Sequence, residues 1–476
     1  MQIPDEVLGR AGLPATEAAA WAAAVPDPRR PLDAAAGALS QFLSAGQALR
    51  GRLPGRAHRS AAGQAAWDVL AAVMDAARDS FLRVHAEALY DTATSDRTRP
   101  LRLAELLAAA AGRVPGLVPS AAELTAERAR PLPDKDGVEF AQGLLAGHVL
   151  ARPRAGRHLI GAMLQPRPEA LSRLGELRAA GRVDLGPVRV TRQGRAGVLE
   201  LSNPRHLNAE DSVTLGPTEC AVDLILLDPD IEIGVIRGGV VDHPRYPGVR
   251  VFGSGLNLTH LYRGQLDFLF YLDRDLGYVH KIYRGIIPPG ADAGLAGPDP
   301  GLTGRPGVNP EGTAEKLWIA AVERFAVGGA CQLLHVVDHV IATRGSRLFL
   351  PARNEGIIPG ASNLRLPRFV GDRAARQAIL SGRPWVAGEP DAGLLCDEVV
   401  QPGDMDRAVP ARVGALTSSG LVNAAANRCT LRAGQEPVDV FREYMAAFAV
   451  EQARCHLSPA LVRNLEMHWN VRARGG

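Results

Sequence analysis

The pattern of apolar and polar positions changes once along the chain. Up to about residue 185, Leu, Val and Phe recur at helical spacing among Ala and Arg, most clearly over residues 61–89 and 139–151. Ser120 and Glu123 have the spacing of a capping box at a helix start. Proline-rich breaks separate the helical runs. The pattern predicts a helical N-terminal domain over residues 1–185, with no obvious chemistry of its own.

From residue 186 onward the apolar period shortens to that of β-strands, and helical runs alternate with them. Strands are predicted at residues 188–191, 198–201, 231–237, 249–252, 317–327, 339–343 and 347–350. Helices are predicted from residue 211 to about 227, over 262–285 and 372–381, and from Val438 onward. Residues 286–313 form a Pro/Gly-rich loop, longer than usual connections, which is either a lid or mobile. The pattern favours an α/β core after the helical domain.

Composition and charge argue against nucleic-acid-binding and membrane proteins. The 476 residues carry a net charge of only +3, so no strong basic field argues for a nucleic-acid partner. The N-terminal residues carry no apolar signal region, and no apolar run is long enough to span a bilayer, so we expect no membrane partner. The five cysteines have no metal-ligand spacing, which is typical of reduced thiols in a cytoplasmic protein.

Two glycine turns carry the candidate chemistry. Gly328 and Gly329 stand between a β-rich run and a helix-compatible run, and residues 251–258 repeat the order of strand, glycine turn and helix start. A helix start leaves amide N–H groups unpaired, and such groups attract an oxyanion. A Gly-Gly pair alone would equally be a packing feature. Two such turns together can direct two N–H groups at one carbonyl oxygen.

This pair of turns, followed by Glu-Gly-Ile-Ile-Pro-Gly at residues 355–360, resembles the crotonase (enoyl-CoA hydratase/isomerase) superfamily over residues 186–409. The resemblance implies an α/β core built as a ββα spiral, with oxyanion-hole N–H groups on Leu256 and Gly329. It also implies that C-terminal helices over residues 410–476 cover the active site. These helices would build a homo-oligomer, either a trimer or a dimer of trimers.

Two positions argue against a hydratase. In hydratases of the superfamily, two carboxylates stand at the positions that Gln332 and Ala352 occupy here. Water addition needs these groups as general acid and base, and neither Gln nor Ala titrates. The chain therefore lacks the acid and base groups for hydration at these two positions, although the expected fold is that of the hydratases.

Further motifs are similar to one branch of the superfamily, the 3,5-dihydroxyphenylacetyl-CoA 1,2-dioxygenases, which also carry a helical N-terminal extension. The motifs are at residues 208–211, 221–224, 243–246, 274–278 and 355–360. By this resemblance, Glu210, Arg274 and Gln332 bind the aromatic hydroxyls, and Ile357 borders a small apolar oxygen pocket. The alternative for Glu210 is helix capping, and that for Gln332 is a polar residue at a helix start; without the resemblance, Arg274 would be interpreted as a surface ion-pair partner. Ala330 departs from the superfamily, which commonly has a third glycine there.

The branch implies a dioxygenase of antibiotic biosynthesis that needs neither metal nor flavin. It would convert an aryl-acetyl-CoA thioester and O2 to an arylglyoxylate and free CoA, through an enolate stabilised by the oxyanion hole. The small-molecule partners would be the acyl-CoA and O2. Two alternatives remain open: a crotonase-fold thioesterase for aryl-acyl-CoA, and a catalytically silent acyl-CoA-binding partner.

Other titratable residues have simpler interpretations. His335 and His339 are one helical turn apart, but Asp338 is expected at a helix-to-strand junction, so we predict no metal site there. Glu355 precedes a tight glycine turn, where a glutamate most often caps or forms an ion pair, and a role as a base is the less common alternative. Cys331 has no neighbouring His or Lys in sequence and is expected to be a small core residue.

Overall fold

A computed structural model describes residues 5–289, 309 and 312–471 of the chain. The long loop predicted at residues 286–313 therefore lies largely outside the described residues. Helices occupy the chain from residue 5 to residue 180. They are α1 (Asp5–Arg10), α2 (Ala15–Ala23), α3 (Leu32–Arg50), α4 (Ala61–Ala93), α5 (Leu103–Arg113), α6 (Ala121–Arg128), α7 (Phe140–Ala151), α8 (Pro153–Leu164) and α9 (Pro168–Ala180).

Local signals set the ends of several of these helices. Helix α4 begins after Ser60, whose hydroxyl accepts a hydrogen bond from the Gly63 N–H at 3.1 Å. Helix α6 has the predicted capping box between Ser120 and Glu123. Helix α9 ends at Gly181, whose φ of +67° is readily adopted only without a side chain. The helices predicted over residues 61–89 and 139–151 are confirmed as α4 and α7.

The strands form a seven-stranded sheet and a smaller three-stranded one. They are β1 (Arg182–Asp184), β2 (Val188–Gln193), β3 (Ala196–Leu201), β4 (Ile233–Gly238), β5 (Leu317–Val322), β6 (Phe325–Val327), β7 (His339–Thr343), β8 (Arg347–Phe349), β9 (Trp385–Val386) and β10 (Glu398–Val400). The large sheet has the order β1-β2-β3-β4-β5-β7-β10, antiparallel among the first three strands and parallel thereafter. Strand β1 already belongs to it, so the sheet begins slightly before the predicted residue 186.

The remaining helices alternate with these strands or follow them along the chain. They are α10 (Ser212–Leu227), α11 (Leu258–Tyr262), α12 (Leu269–Leu276), α13 (Tyr278–Arg284), α14 (Gly329–Leu333), α15 (Ala352–Glu355), α16 (Ser362–Ser381), α17 (Met405–Thr417), α18 (Val422–Gln435), α19 (Val438–His456) and α20 (Pro459–Trp469). Helix α10 packs on one face of the large sheet, and α17 covers the other with Met405, Val409 and Val413. Because β4, β5 and β7 are covered on both faces, their sequences are nearly continuous apolar runs.

Three predicted elements are wrong in detail. The strand predicted over residues 317–327 is divided into β5 and β6, which belong to different sheets. Residues 249–252 form no strand, and only a single bridge joins Val240 to Arg250 there. The predicted helix over residues 262–285 is divided into α12 and α13, which meet at Gly277. Gly277 has φ −89° and ψ −116°, and a Cβ there would lie 2.3 Å from the Asp273 carbonyl oxygen. Periodicity alone does not reveal such a break.

Helix α19 packs against α7 at a close crossing that glycines make possible. A Cβ on Gly143 would lie 2.7 Å from the Ala453 Cβ and 2.8 Å from the Ala449 carbonyl oxygen. A Cβ on Gly147 would lie 2.7 Å from a methyl group of Val450. The C-terminal helices α19 and α20 thus share one apolar core with the N-terminal helices. The division into domains at residues 185 and 409 stays a prediction.

Among the described helices, none combines the length and the apolar content that a bilayer crossing requires.

Candidate active site

The two predicted glycine turns lie side by side. Gly253 and Ala326 form a parallel bridge, in which the Val327 N–H donates to the Gly253 carbonyl oxygen at 3.1 Å. Two residues further, Gly255 has φ +80°, and a Cβ there would lie 2.7 Å from the Val327 carbonyl oxygen and 2.9 Å from the Gly329 nitrogen. Glycine is therefore required at position 255, because the second turn occupies the space of a side chain.

The two turns each present a free amide N–H. Leu256 forms a parallel bridge with Glu210, but the bridge uses the Glu210 N–H to the Gly255 carbonyl (2.7 Å) and the Asn257 N–H to the Glu210 carbonyl (2.8 Å). Gly329 is the first residue of α14, where an N–H has no acceptor within the helix. Among the described residues, neither the Leu256 N–H nor the Gly329 N–H has an acceptor. Two free donors on adjoining turns can stabilise an oxyanion.

Arg274 forms the centre of a buried polar cluster. Its Nε and Nη2 donate to the two carboxylate oxygens of Glu210 at 2.5 and 3.0 Å, and its Nη1 donates to Gln332 Oε1 at 2.9 Å. Nη2 also donates to the Gly329 carbonyl oxygen at 2.8 Å. Burial alone would lower the pKa of Arg274, but the Glu210 carboxylate raises it above its ordinary value. The interpretation of Arg274 as a surface residue is wrong, since only 4% of it is exposed.

Glu210 serves this cluster and caps no helix. The N-cap of α10 is Asp211, whose carboxylate accepts the N–H groups of Val213 and Thr214. The capping interpretation of Glu210 is therefore wrong. Its carboxylate accepts a further hydrogen bond from the Tyr278 hydroxyl at 2.5 Å.

The polar cluster and the free N–H groups border one cleft of about 470 Å³. All six predicted positions, Leu256, Gly329, Glu210, Arg274, Gln332 and Ile357, line it. Its apolar wall is made by Phe270, Leu350, Ala352, Ile357 and Ile358. The cleft is thus lined by two free N–H donors, by the carboxylate–guanidinium–amide cluster bonded to one of the turns, and by apolar side chains.

Gly329 joins the two polar features of the cleft. A Cβ on this residue would lie 2.9 Å from Glu210 Oε1 and 3.2 Å from Arg274 Nη2. The missing side chain therefore leaves the room that the carboxylate and the guanidinium occupy. Sequence reasoning assigned glycine here to the backbone turn alone, and it missed this second reason.

Sequence reasoning favoured a capping or ion-pairing role for Glu355 and kept a role as a base only as the less common alternative. Only 6% of this residue is exposed, and it lines the cleft. Among the described residues, its carboxylate accepts no hydrogen bond and pairs with no cation, so the predicted capping or ion-pairing role is wrong. Burial raises the pKa of Glu355 to about 7. The signal available in the sequence was an acidic residue within an apolar segment that ends in a glycine turn.

Two further cleft neighbours come from α12 and α13. Asp275 lines the cleft, with Oδ1 at 3.5 Å from Arg274 Nη1, and burial raises the pKa of its carboxyl. Tyr278 holds Glu210 in place, and burial raises its pKa well above the ordinary value. The i, i+4 spacing of Arg274 and Tyr278 on a helical stretch is the pattern that could have identified Tyr278.

The remaining candidates have structural surroundings. His335 Nδ1 is 3.0 Å from the Ser362 hydroxyl, and burial lowers the pKa of His335 to about 3. His339 begins β7, so the two imidazoles do not share a helix face. Within the described parts of the chain, no group of three His, Cys, Asp or Glu side chains is arranged to hold a metal ion. Cys331 is buried among apolar residues, which raises the pKa of its thiol.

Several known proteins are similar to this chain. The family model described as enoyl-CoA hydratase/isomerase matches residues 312–428. A probable enoyl-CoA hydratase of Rhizobium meliloti is 29% identical over 228 residues, which are 48% of this chain and 72% of that protein. The crystal structure of an enoyl-CoA hydratase from Mycobacterium avium subsp. paratuberculosis K-10 has a TM-score of 0.45 and 17% identity, and the match covers 60% of this chain and 97% of that one.

A more similar relative is the (3,5-dihydroxyphenyl)acetyl-CoA 1,2-dioxygenase of Amycolatopsis orientalis. It is 45% identical over 379 residues, which are 79% of this chain and 83% of the relative. The match is much longer than the crotonase-like core, so it includes a large part of the N-terminal helices. Identity at this level over most of both chains shows common descent and a common, crotonase-like fold. The chain belongs to the enoyl-CoA hydratase/isomerase family, on the branch of (3,5-dihydroxyphenyl)acetyl-CoA 1,2-dioxygenase.

Proposed function

We propose that the chain is a dioxygenase that converts 3,5-dihydroxyphenylacetyl-CoA and O2 to 3,5-dihydroxyphenylglyoxylate and CoA. The observation that carries the proposal is the extended similarity to the dioxygenase of Amycolatopsis orientalis. The cleft supports it, since free N–H groups suited to a thioester oxygen adjoin a polar cluster suited to phenolic hydroxyls.

The oxyanion hole acts first in this reaction. The N–H groups of Leu256 and Gly329 bind the thioester oxygen and stabilise the negative charge that develops when Cα loses a proton. The enolate is conjugated with the aromatic ring and is electron-rich. It passes one electron to O2, and the resulting radicals join at Cα to give a peroxide. In these reaction steps the substrate carbanion supplies the electrons, so we propose that neither metal nor flavin takes part.

The peroxide then attacks the thioester carbonyl and expels CoA. Breaking the O–O bond and removing the second Cα proton gives the 2-oxo acid. The atoms balance: the aryl-acetyl thioester and O2 give the arylglyoxylate, CoA as a thiol, and one proton. We propose that Ile357, on the apolar wall of the cleft, borders the space where O2 meets Cα.

The polar cluster recognises the ring in this proposal. Gln332 Oε1 already accepts from Arg274, while the Gln332 Nε2 has no acceptor among the described residues and is free to bind a phenolic oxygen. Glu210 accepts hydrogen bonds from hydroxyl groups, as it does from Tyr278. A neutral amide at position 332 matters, because a second carboxylate would repel the developing enolate.

Oxygen uptake tests this function. Purified protein, dialysed against a chelator and free of flavin absorbance, is expected to consume one O2 for each CoA released from 3,5-dihydroxyphenylacetyl-CoA. Release of CoA at the same rate without oxygen would instead identify a thioesterase. Activity that disappears on chelation and returns with iron would contradict the metal-free mechanism. Binding of the thioester without turnover would indicate a silent acyl-CoA-binding protein.

We also propose that the chain forms a homo-oligomer through its C-terminal helices. Val422 and Leu431 of α18 and Met467 of α20 are large apolar side chains that are 88%, 61% and 72% exposed in the single chain. An apolar surface of this kind fits a contact between subunits. Light scattering on the purified protein is expected to give the mass of three or six chains, and a monomer would contradict this proposal.

A further inference from the structure

We propose that Glu355 removes the protons from the substrate Cα, and that Tyr271 and His456, beside the Glu139 carboxylate, pass one proton per turnover to a second cleft, while the other leaves on CoA as its thiol. This inference rests on the proposed dioxygenase function. It assigns the base for the reaction and a route by which that base loses its proton again.

The stoichiometry makes such a route useful. Two C–H bonds at the same carbon break in each turnover, the first to form the enolate and the second when the O–O bond of the peroxide is cleaved. In the first step the electron pair of the C–H bond moves into the enolate. In the second it forms the new C=O bond, as the O–O electrons move to the oxygen that becomes the carboxylate. One base serves both steps only if its first proton leaves before the second is taken.

Glu355 is placed beside the oxyanion turn. A Cβ built on Gly328 would lie 3.9 Å from Glu355 Oε1, and Gly328 is the residue before the Gly329 N–H. A carboxylate there lies next to the carbonyl whose α-proton must be removed. Because burial raises the pKa of Glu355 to about 7, this group both accepts and releases protons near neutral pH.

The other carboxylates of the cleft are already engaged. Glu210 accepts hydrogen bonds from Arg274 and Tyr278. Asp275 lies 3.5 Å from Arg274 Nη1, and the Arg365 guanidinium also lowers its pKa against the effect of burial. Glu355 has no such cation beside it, and burial alone accounts for its raised pKa. It is therefore the carboxylate with a free lone pair for a carbon acid.

Tyr271 connects this site to a buried chain of titratable groups. Its ring borders the active-site cleft, and its hydroxyl lies 3.4 Å from His456 Nδ1. Glu355 lines the same cleft as Tyr271, and, after burial, its charge is the largest influence that raises the pKa of Tyr271. His456 Nε2 lies 3.0 Å from Glu139 Oε2, and Lys135 Nζ lies 3.0 Å from Glu139 Oε1.

The far end of this chain reaches a separate cleft of about 750 Å³. Lys135 and His456 line this second cleft, together with Trp67, Phe140 and other residues of the N-terminal helices and of the segment before α20. Its remaining charged walls are Arg56, Asp68 and Asp136. The Tyr271–His456–Glu139 chain thus joins the two clefts, since Tyr271 lines the first and His456 lines the second.

The hydrogen-bond roles are consistent with proton transfer toward the second cleft. With the proton of neutral His456 on Nε2, that N–H donates to Glu139, and Nδ1 accepts from the Tyr271 hydroxyl. A proton released by Glu355 reaches the Tyr271 oxygen as the tyrosine passes its own proton to Nδ1. The imidazolium that forms is stabilised by Glu139, and it can lose a proton to the second cleft. Burial would raise the pKa of Glu139, but the hydrogen bond from His456 and the Lys135 ammonium lower it to about 2, so Glu139 remains an anion.

The first test measures loss of deuterium from Cα without oxygen. Wild-type protein in H2O under anaerobic conditions is expected to replace the deuterium of α-dideuterated 3,5-dihydroxyphenylacetyl-CoA. Glu355→Gln keeps the shape but not the base, and the exchange is expected to slow by roughly 10²–10⁴-fold. Glu443→Gln, on the exposed side of α19, is the control and should exchange at the wild-type rate.

The second test separates proton removal from proton release. In Tyr271→Phe, Glu355 still takes a deuteron from Cα, but the deuteron returns to carbon because the route to the second cleft is cut. Two rates are compared: deuterium exchange without oxygen, and substrate consumption in the first turnover with oxygen. In Tyr271→Phe the ratio of the first rate to the second is expected to fall by about tenfold or more. A purely structural role for Tyr271 would lower both rates together.

Tyr90→Phe is the matched control for this second test. The Tyr90 hydroxyl lies 2.6 Å from His158 Nδ1 in the core of the N-terminal helices, so the variant removes the same kind of buried hydrogen bond away from the cleft. Its exchange and turnover should keep the wild-type ratio. His456→Gln is a second variant of the route and should change that ratio as Tyr271→Phe does.

The outcomes distinguish the function, the base and the proton route. Wild-type protein that neither exchanges the α-deuterium nor consumes oxygen contradicts the proposed function. Wild-type protein that does both, with normal exchange in folded Glu355→Gln, overturns only the assignment of the base. An unchanged ratio in both Tyr271→Phe and His456→Gln overturns the route.

Discussion

The guanidinium of Arg274 donates a hydrogen bond from Nη2 to the carbonyl oxygen of Gly329 at 2.8 Å. The residue proposed to recognise the aromatic ring is therefore bonded to the residue proposed to hold the thioester oxygen. A displacement of one moves the other, so binding of the ring and stabilisation of the enolate are coupled. This contact explains why a change in the polar cluster is expected to affect the rate constant as well as the affinity.

Two substitutions at Gly329 isolate the contribution of its N–H. Gly329→Ala adds a Cβ 2.9 Å from Glu210 Oε1 but keeps the N–H, whereas Gly329→Pro adds a similar carbon and removes the N–H. Proline is tolerated at the first position of a helix, so the backbone can keep its course. We expect kcat of the proline variant to lie ~10²–10³-fold below that of the alanine variant. Equal rate constants in two folded variants would exclude this N–H from the oxyanion hole.

Gln332→Glu tests the neutral amide. The new carboxylate can still accept from Arg274 but loses the Nε2 donor and places a negative charge near the enolate. Oxygenation of the dihydroxy substrate should fall strongly, and no hydratase activity should arise, because Ala352 still lacks the second carboxylate. Oxygen uptake and hydration of an enoyl-CoA are the measurements. Phenylacetyl-CoA is the control substrate, and an equal loss on both substrates would make Gln332 structural.

Arg274→Lys keeps the charge and removes the planar guanidinium. The guanidinium donates to Glu210, Gln332 and the Gly329 carbonyl, and a single ammonium group cannot reach all of these acceptors. We expect a large loss of kcat/KM and a loss of roughly 1–3 kcal/mol in the free energy of unfolding. Urea denaturation and steady-state kinetics measure the two effects. Arg412→Lys, at an ion pair with Glu398 of β10, lines none of the described clefts; it is the control and should keep the activity.

Glu355 makes the stability of the protein depend on pH. Burial raises the pKa of its carboxyl from 4.5 to about 7, so between these values the folded state binds more protons than the unfolded state. The contribution of Glu355 to stability therefore decreases as pH rises through this range, by up to about 3 kcal/mol. Glu355→Gln should thus raise the unfolding free energy at pH 8 relative to wild type and change it less at pH 4.5. The same difference at both pH values would contradict the raised pKa.

The crossing of α7 and α19 depends on Gly143. A methyl group there would lie 2.7 Å from the Ala453 Cβ, so Gly143→Ala is expected to lower the free energy of unfolding by roughly 1–3 kcal/mol. Gly175 in α9 has no atom within 4 Å of the place that a Cβ would occupy, and Gly175→Ala should instead stabilise the helix by up to about 1 kcal/mol. Thermal unfolding of both variants measures the effect. A neutral Gly143→Ala would mean that the two helices separate easily.

The sequence by itself determined the two glycine turns and the residues around them. Backbone requirements at Gly255 and Gly328 are local, because each position needs a positive φ that glycine adopts without strain. The strands β2, β3, β4 and β7 were likewise determined by local periodicity. The similarity of several motifs to one enzyme branch placed Leu256, Gly329 and Arg274 at one site, and all three line the same cleft.

Only the tertiary structure decided how the side chains are protonated and paired. The sequence favoured capping for Glu355, but its raised pKa follows from burial where α15 packs against α20, a helix distant in the chain. The Tyr271–His456–Glu139 chain brings together residues separated by up to 317 positions. Such contacts depend on how helices pack, and the helical period carries no information about which distant charge a buried group will meet.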